Sequence, residues 1–147
     1  MLYNDAYNSN PDAVKAALET FGELAAEAPR RIVVLGDMLE LGDDAPRLHA
    51  EVGDQLMALH GRTPLDVVVL VGALMASCEQ RLMERGFGNL VVRVEQLDEL
   101  TVQSIASLAV DGDSLLVKGS RSMKLERIVD AIRARVDVET GALAESV

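Results

Sequence analysis

The run Val67-Val68-Val69-Leu70-Val71 constrains this chain more than any other segment. As a strand it offers apolar side chains to both faces of a sheet, so both faces must be covered. Ile32-Val33-Val34-Leu35 and Leu115-Leu116-Val117 repeat the pattern, and Leu90-Val91-Val92 repeats it more weakly. Leu2-Tyr3-Asn4 adds one further candidate strand. Sheets with one wet face alternate apolar and polar residues, whereas continuous runs belong to parallel sheets buried between helices.

The intervening segments carry the helical period. Val14, Ala17, Leu18, Phe21, Leu24 and Ala25 share one helix face. Asn10 stands as its N-cap, with Pro11 at the first helical position and Asp12 near the positive dipole end. A second helix is expected from about Asp44 and Pro46 to Gly61, with Leu48, Val52, Leu56 and Leu59 inward. A third spans about Leu74 to Arg85 and stops at Gly86. A fourth carries Leu97, Leu100, Ile105 and Leu108 and ends near Asp111-Gly112. The last turns Leu125, Ile128, Val129, Ile132 and Val136 inward, and after Asp137 the apolar period is lost. The expected domain is therefore 1–136, with 137–147 a frayed tail. The fold class is α/β: three layers, a mostly parallel sheet with helices on both faces, joined by right-handed crossovers.

Composition narrows the function. Hydrophobic residues make up 49% of the chain but aromatics only 3%, so the core is aliphatic. The net charge of −10 argues against nonspecific binding to nucleic acid or to an anionic membrane, both of which need a basic face. It leaves room for a small anion wherever the few cations gather. No apolar run approaches the roughly 20 residues of a membrane span, and the first residues lack the pattern of a secretory signal. One cysteine, Cys78, forms no internal disulfide, and the expected compartment is the cytoplasm.

In open parallel sheets, ligands bind beyond the carboxyl ends of the strands. The first strand runs into Asp5-Ala6-Tyr7-Asn8-Ser9-Asn10-Pro11-Asp12. These residues suit a capped turn, yet a tyrosine among hydrogen-bonding side chains also suits a purine and its ribose. The second strand ends in Gly36-Asp37-Met38-Leu39-Glu40-Leu41-Gly42, where Asp37 either caps a turn or faces a ligand while Met38 and Leu41 pack. The last strand ends in Lys118-Gly119-Ser120-Arg121-Ser122-Met123-Lys124. Lys118, Arg121, Lys124 and Arg127 recur every three residues around this turn, and an anion site is the expectation. Ser122 can serve there or simply cap the helix. His49 lies near an inward face and reads as a structural histidine. There is no phosphate loop of the G-x-x-x-x-G-K-[ST] type, no G-x-G-x-x-G after a strand, no G-x-S-x-G elbow and no zinc-binding spacing. A self-contained catalytic site is not visible.

Four blocks carry a resemblance. Asp5 to Asp12 resembles the D-x-Y-N-x-N-P motif that opens the third domain of the ligases joining D-alanyl-D-alanine to UDP-N-acetylmuramoyl-tripeptide, within the Mur ligase family. Val34 to Gly42, Leu48 to Gly53 and Val117 to Glu126 resemble later blocks of that domain, in the same order. The resemblance implies a Rossmann-like lid of a three-domain, ATP-dependent amide ligase of peptidoglycan synthesis. The N-terminal and central domains, including the phosphate loop and the Mg2+ ligands, would lie outside this chain, with Met1 standing as a start just before the lid's first strand. Such a lid is the domain that closes over ATP and receives D-alanyl-D-alanine. By the match, Asp5 holds the ribose hydroxyls, Tyr7 or Asn8 lies against adenine, and Asn10 either joins them or only caps its helix. Asp37, Met38, Lys118, Ser120, Arg121 and Ser122 face the dipeptide and the transferred phosphoryl group. No catalytic residue is expected in this domain alone, and no metal ligand. The competing readings are the lid of a related ligase such as folylpolyglutamate synthase, or a receiver-like regulatory module. Val71-Gly72-Ala73 argues against the latter, because it ends its strand without a phosphoacceptor carboxylate.

Overall fold

The computed structural model describes the backbone of residues 1–145 and the side-chain surroundings of residues 1–137. The elements alternate as β1 (Leu2–Asp5), α1 (Pro11–Leu24), β2 (Arg31–Gly36), α2 (Ala45–Arg62), β3 (Val67–Val71), α3 (Ala76–Glu84), β4 (Leu90–Val94), α4 (Glu99–Ala106), β5 (Ser114–Lys118) and α5 (Glu126–Glu145). Short 3-10 turns precede α2, at Gly42–Asp44, and α5, at Arg121–Met123. The five strands form one sheet in the order β1-β5-β2-β3-β4, and every pairing is parallel.

Strand alternation divides the core into two. Val33, Leu35, Val68, Leu70 and Leu116 point to one face, where α1, α2 and α3 cover them with Val14, Leu18, Phe21, Val52, Leu56, Leu59, Cys78 and Leu82. Ile32, Val34, Val67, Val69, Leu115 and Val117 point to the other, under Val102 and Ile105 of α4 and Ile128, Val129 and Ile132 of α5. The connections β1 to β4 step across the sheet in one direction, and the connection to β5 returns over β3 and β2. When crossovers keep one hand, reversing the direction of travel moves the helix to the opposite face. That is why α4 lies apart from the first three helices.

Element ends depart from expectation for local reasons. The third helix starts at Ala76 rather than Leu74, because its opening bonds reach back only three residues. They run from the Ala76 amide to the Ala73 carbonyl and from the Ser77 amide to the Leu74 carbonyl, while the amides of Leu74 and Met75 donate to the Asp37 carboxylate. The fourth is shorter than expected, and Leu100, expected inward, is 77% exposed on its first turn. Val136 is likewise exposed. Asn10 does cap α1, its Oδ1 accepting the Ala13 amide at 2.9 Å. Of the segment expected to fray, residues up to Glu145 continue α5, and the last two lie outside the described residues.

Candidate functional site

The register of the sheet brings the carboxyl ends of β1, β5 and β2 side by side. Asp5 pairs with Lys118 across β1 and β5, and Lys118 stands opposite Leu35 of β2. The loops leaving these strands, residues 6–10, 119–125 and 37–44, therefore start from one rim. Gly36 and Gly119 allow the close approach: a Cβ on Gly119 would lie 2.5 Å from Leu125 Cδ1 and 3.5 Å from the Gly36 Cα.

The basic quartet does not act as one cluster, which corrects the expectation of a single four-cation site. Lys118 follows Val117 in the strand alternation and so points to the α1 face, beneath the loop that enters α1. Its side chain is 2% exposed and its ammonium sits 2.6 Å from Asp5 Oδ2 and 2.8 Å from the Asn8 carbonyl, to which it donates. Arg127 turns toward α4, donating to the Leu97 carbonyl at 2.9 Å with Glu99 3.8 Å away. Arg121 and Lys124 are exposed and form no salt bridge among the described residues. A spacing of three keeps side chains on one face only while the backbone keeps one direction. Here it runs from strand to 3-10 turn, through a left-handed Lys124 with φ 54°, and into α5.

Around Asp5 the nucleotide candidates are close in space. Asp5 keeps about half of its side chain exposed, with only Oδ2 engaged by Lys118. Tyr7 is 64% exposed, leaving its ring open, and Asn8 is exposed as well. Asn10 gives its Oδ1 to the cap of α1. A cleft of about 500 Å³ runs from Asp5 along β1 and α1, past Tyr3, Ala13, Ala17 and Phe21. A second cleft, of about 440 Å³, lies at the opposite end of the strands near Leu2, Asp113 and Ile132, remote from the rim.

On the other side of β5, Asp37 is buried rather than displayed. Its carboxylate accepts the Met75 amide at 3.0 Å and the Leu74 amide at 3.3 Å, and its own amide donates to the Val71 carbonyl. Burial raises the Asp37 pKa above the usual carboxylate range, and the Leu74 amide opposes that rise. Met38, expected to face the dipeptide, is fully buried in the core under α1 to α3, so its side chain is not part of the rim. Ser120 donates its hydroxyl to the Asp37 carbonyl at 3.1 Å, joining the two loops. Ser122 lies inside the 3-10 turn and is exposed, so it does not cap α5.

Three contributors were missing from the sequence reading of the site: Gly72, the amides of Leu74 and Met75, and the bonding role of His49. The signals for His49 were its place in the inward stripe that continues through Val52, Leu56 and Leu59 and its position in the Leu48–Gly53 block, neither of which gave it a bonding role. Among the described residues, no three His, Cys, Asp or Glu side chains converge on a metal-sized site. No helix among them is long and apolar enough to cross a membrane.

Comparison with known proteins bears on the family and the fold. The family described as "Mur ligase, glutamate ligase domain" matches residues 1–121. The UDP-N-acetylmuramoyl-tripeptide–D-alanyl-D-alanine ligase of Bacillus subtilis is 35% identical over 87% of this chain, and the chain spans only 27% of that relative. The crystal structure of MurF ligase from Thermotoga maritima in complex with ADP superposes with a TM-score of 0.71 at 22% identity, over 94% of this chain and 29% of that one. MurF from Acinetobacter baumannii superposes with a TM-score of 0.70 at 26% identity, over 90% of this chain and 28% of that one. By the extent of the family match and the shared parallel α/β fold, this chain belongs to the Mur ligase family, as a C-terminal domain of that family.

Proposed function

We propose that this chain is the closing domain of an ATP-dependent ligase that joins D-alanyl-D-alanine to UDP-N-acetylmuramoyl-tripeptide in the cytoplasm. The observation that carries the reading is the single polar rim, with Asp5 at one end and, at the other, Ser120, bonded to the Asp37 carbonyl, followed by the exposed Arg121. The printed name of the Bacillus subtilis relative supports the substrates, and the ADP held by the Thermotoga maritima protein supports a nucleotide. In this reading, Asp5 uses its open Oδ1 for the ribose hydroxyls, and Tyr7 or Asn8 lies against adenine. Arg121 and the amino end of α5 offset negative charge on the acyl phosphate and on the dipeptide carboxylate. The dipeptide amine attacks the phosphorylated tripeptide carboxyl; a C–N bond forms, the C–O bond to phosphate breaks, and phosphate departs.

The N-terminal and central domains are the partners of this surface and supply the grip on the phosphates. In this reading Mg2+ belongs with them as well. Asp37 spends its carboxylate on two amides, Asp5 gives one oxygen to Lys118 and turns the other to the ribose, and among the described residues no three His, Cys, Asp or Glu side chains converge. The test replaces the matching quarter of the Bacillus subtilis relative with this chain and measures ADP formation with alternative acceptors. Turnover dependent on D-alanyl-D-alanine is expected. A folded chimera that prefers glutamate, or turns over neither acceptor, overturns the reading.

A further inference from the structure

His49 is a buried residue to which the proposed chemistry gives no role. It lies on α2, fully buried, and both of its ring nitrogens are engaged. Nε2 accepts the Met38 amide at 3.0 Å, and Nδ1 lies 2.6 Å from the Ala45 carbonyl. An amide can only donate and a carbonyl can only accept, so the partners themselves set the ring: neutral, with its proton on Nδ1. The Met38 amide belongs to the same peptide unit as the Asp37 carbonyl, which accepts the Ser120 hydroxyl at 3.1 Å. One peptide plane is thus held from two directions, by α2 through its N–H and by the β5 turn through its C=O. The loop that follows needs such anchoring, because Glu40 adopts a left-handed φ of 62° without being glycine.

We propose that His49 is a positioning residue for the ligation: it fixes the Asp37–Met38 peptide, which orients the Ser120 hydroxyl and with it the Gly119–Ser122 turn toward the acceptor dipeptide. This rests on the ligase reading above. The geometry connects His49 to the acceptor side of the rim and not to Asp5, so its loss should be felt by one substrate and not the other.

The experiment has two arms. In the full chain, 15N NMR of His49 should show Nδ1 protonated and Nε2 bare at neutral pH; a proton on Nε2 overturns the proposal. In the chimeric ligase, His49→Leu removes the acceptor for Met38, and His49→Gln can present Oε1 where Nε2 now sits. His49→Asn, too short to reach Met38, makes the same test should the leucine variant not fold. The expected result is a KM for D-alanyl-D-alanine raised roughly tenfold in the leucine or asparagine variant, with the KM for ATP within about twofold and most of the loss restored by glutamine. An unchanged dipeptide KM in folded variants, or a uniform change in both constants, overturns the positioning role while leaving the ligase reading intact. A wild-type chimera that rejects D-alanyl-D-alanine overturns the ligase reading, and this proposal with it.

Discussion

At Gly72 the backbone takes φ +119°, and a Cβ placed there would lie 2.2 Å from Asp37 Cγ. Conformational strain and overlap act together, so Gly72→Ala should cost about 3 kcal/mol, read as a lower urea midpoint. Adding Asp37→Ala should recover the share due to overlap but not the share due to φ, so the two changes will not be additive. Asp37 itself titrates with a defined sign. Its folded pKa lies above its unfolded value, chiefly through burial, so its contribution to stability is full below the unfolded pKa and is lost as pH rises through the folded one. Wild type should therefore gain stability relative to Asp37→Asn as pH is lowered from 7 toward 4 in parallel denaturation series. At the other end of the rim, Asp5→Ala strands the buried Lys118 ammonium on a single carbonyl, whereas Lys118→Met leaves only a half-exposed carboxylate without its partner. The first change should cost at least about 1 kcal/mol more than the second by thermal or urea unfolding.

The strands β2, β3 and β5 were legible because each centres on an apolar run that no amphipathic helix would tolerate, and β3 matches its sequence limits residue for residue. Helix α1 was legible for a second reason: Asn10 and Pro11 mark its start chemically. Asn10→Ala should cost about 1 kcal/mol with the sheet signature unchanged, as followed by circular dichroism during unfolding. Where reading failed, backbone direction was at fault and not composition. Lys118, Arg121, Lys124 and Arg127 looked like one cluster because spacing carries no information about a strand, a turn and a helix following one another. Helix α3 began late because residues 73–75 close tighter turns of three, next to a carboxylate from another loop that takes the amides of Leu74 and Met75. That contact depends on β2 and β3 lying side by side. Met38 passed for a rim residue because a loop position does not reveal which side chains turn back into the core.

At the scale of the molecule, the proposed reading gives this chain one wall of a site and leaves the grip on the triphosphate to other domains. Incubated alone with ATP and both substrates, it should release phosphate at the rate of a buffer blank in a coupled assay, while the chimera containing it turns over. Turnover by the chain alone would mean that the rim is a complete catalyst. The strand order carries a further consequence for how the molecule comes to exist. β5 is synthesised last, yet it lies between the first two strands, and β1 hydrogen-bonds to nothing else in the sheet. A nascent chain must hold β1 unsatisfied until Ser114–Lys118 has been made, and pairing so distant in sequence is slow. The first and last strands are in this way stitched together at one edge of the sheet, so a break in a loop between them would leave neither fragment able to finish that edge by itself.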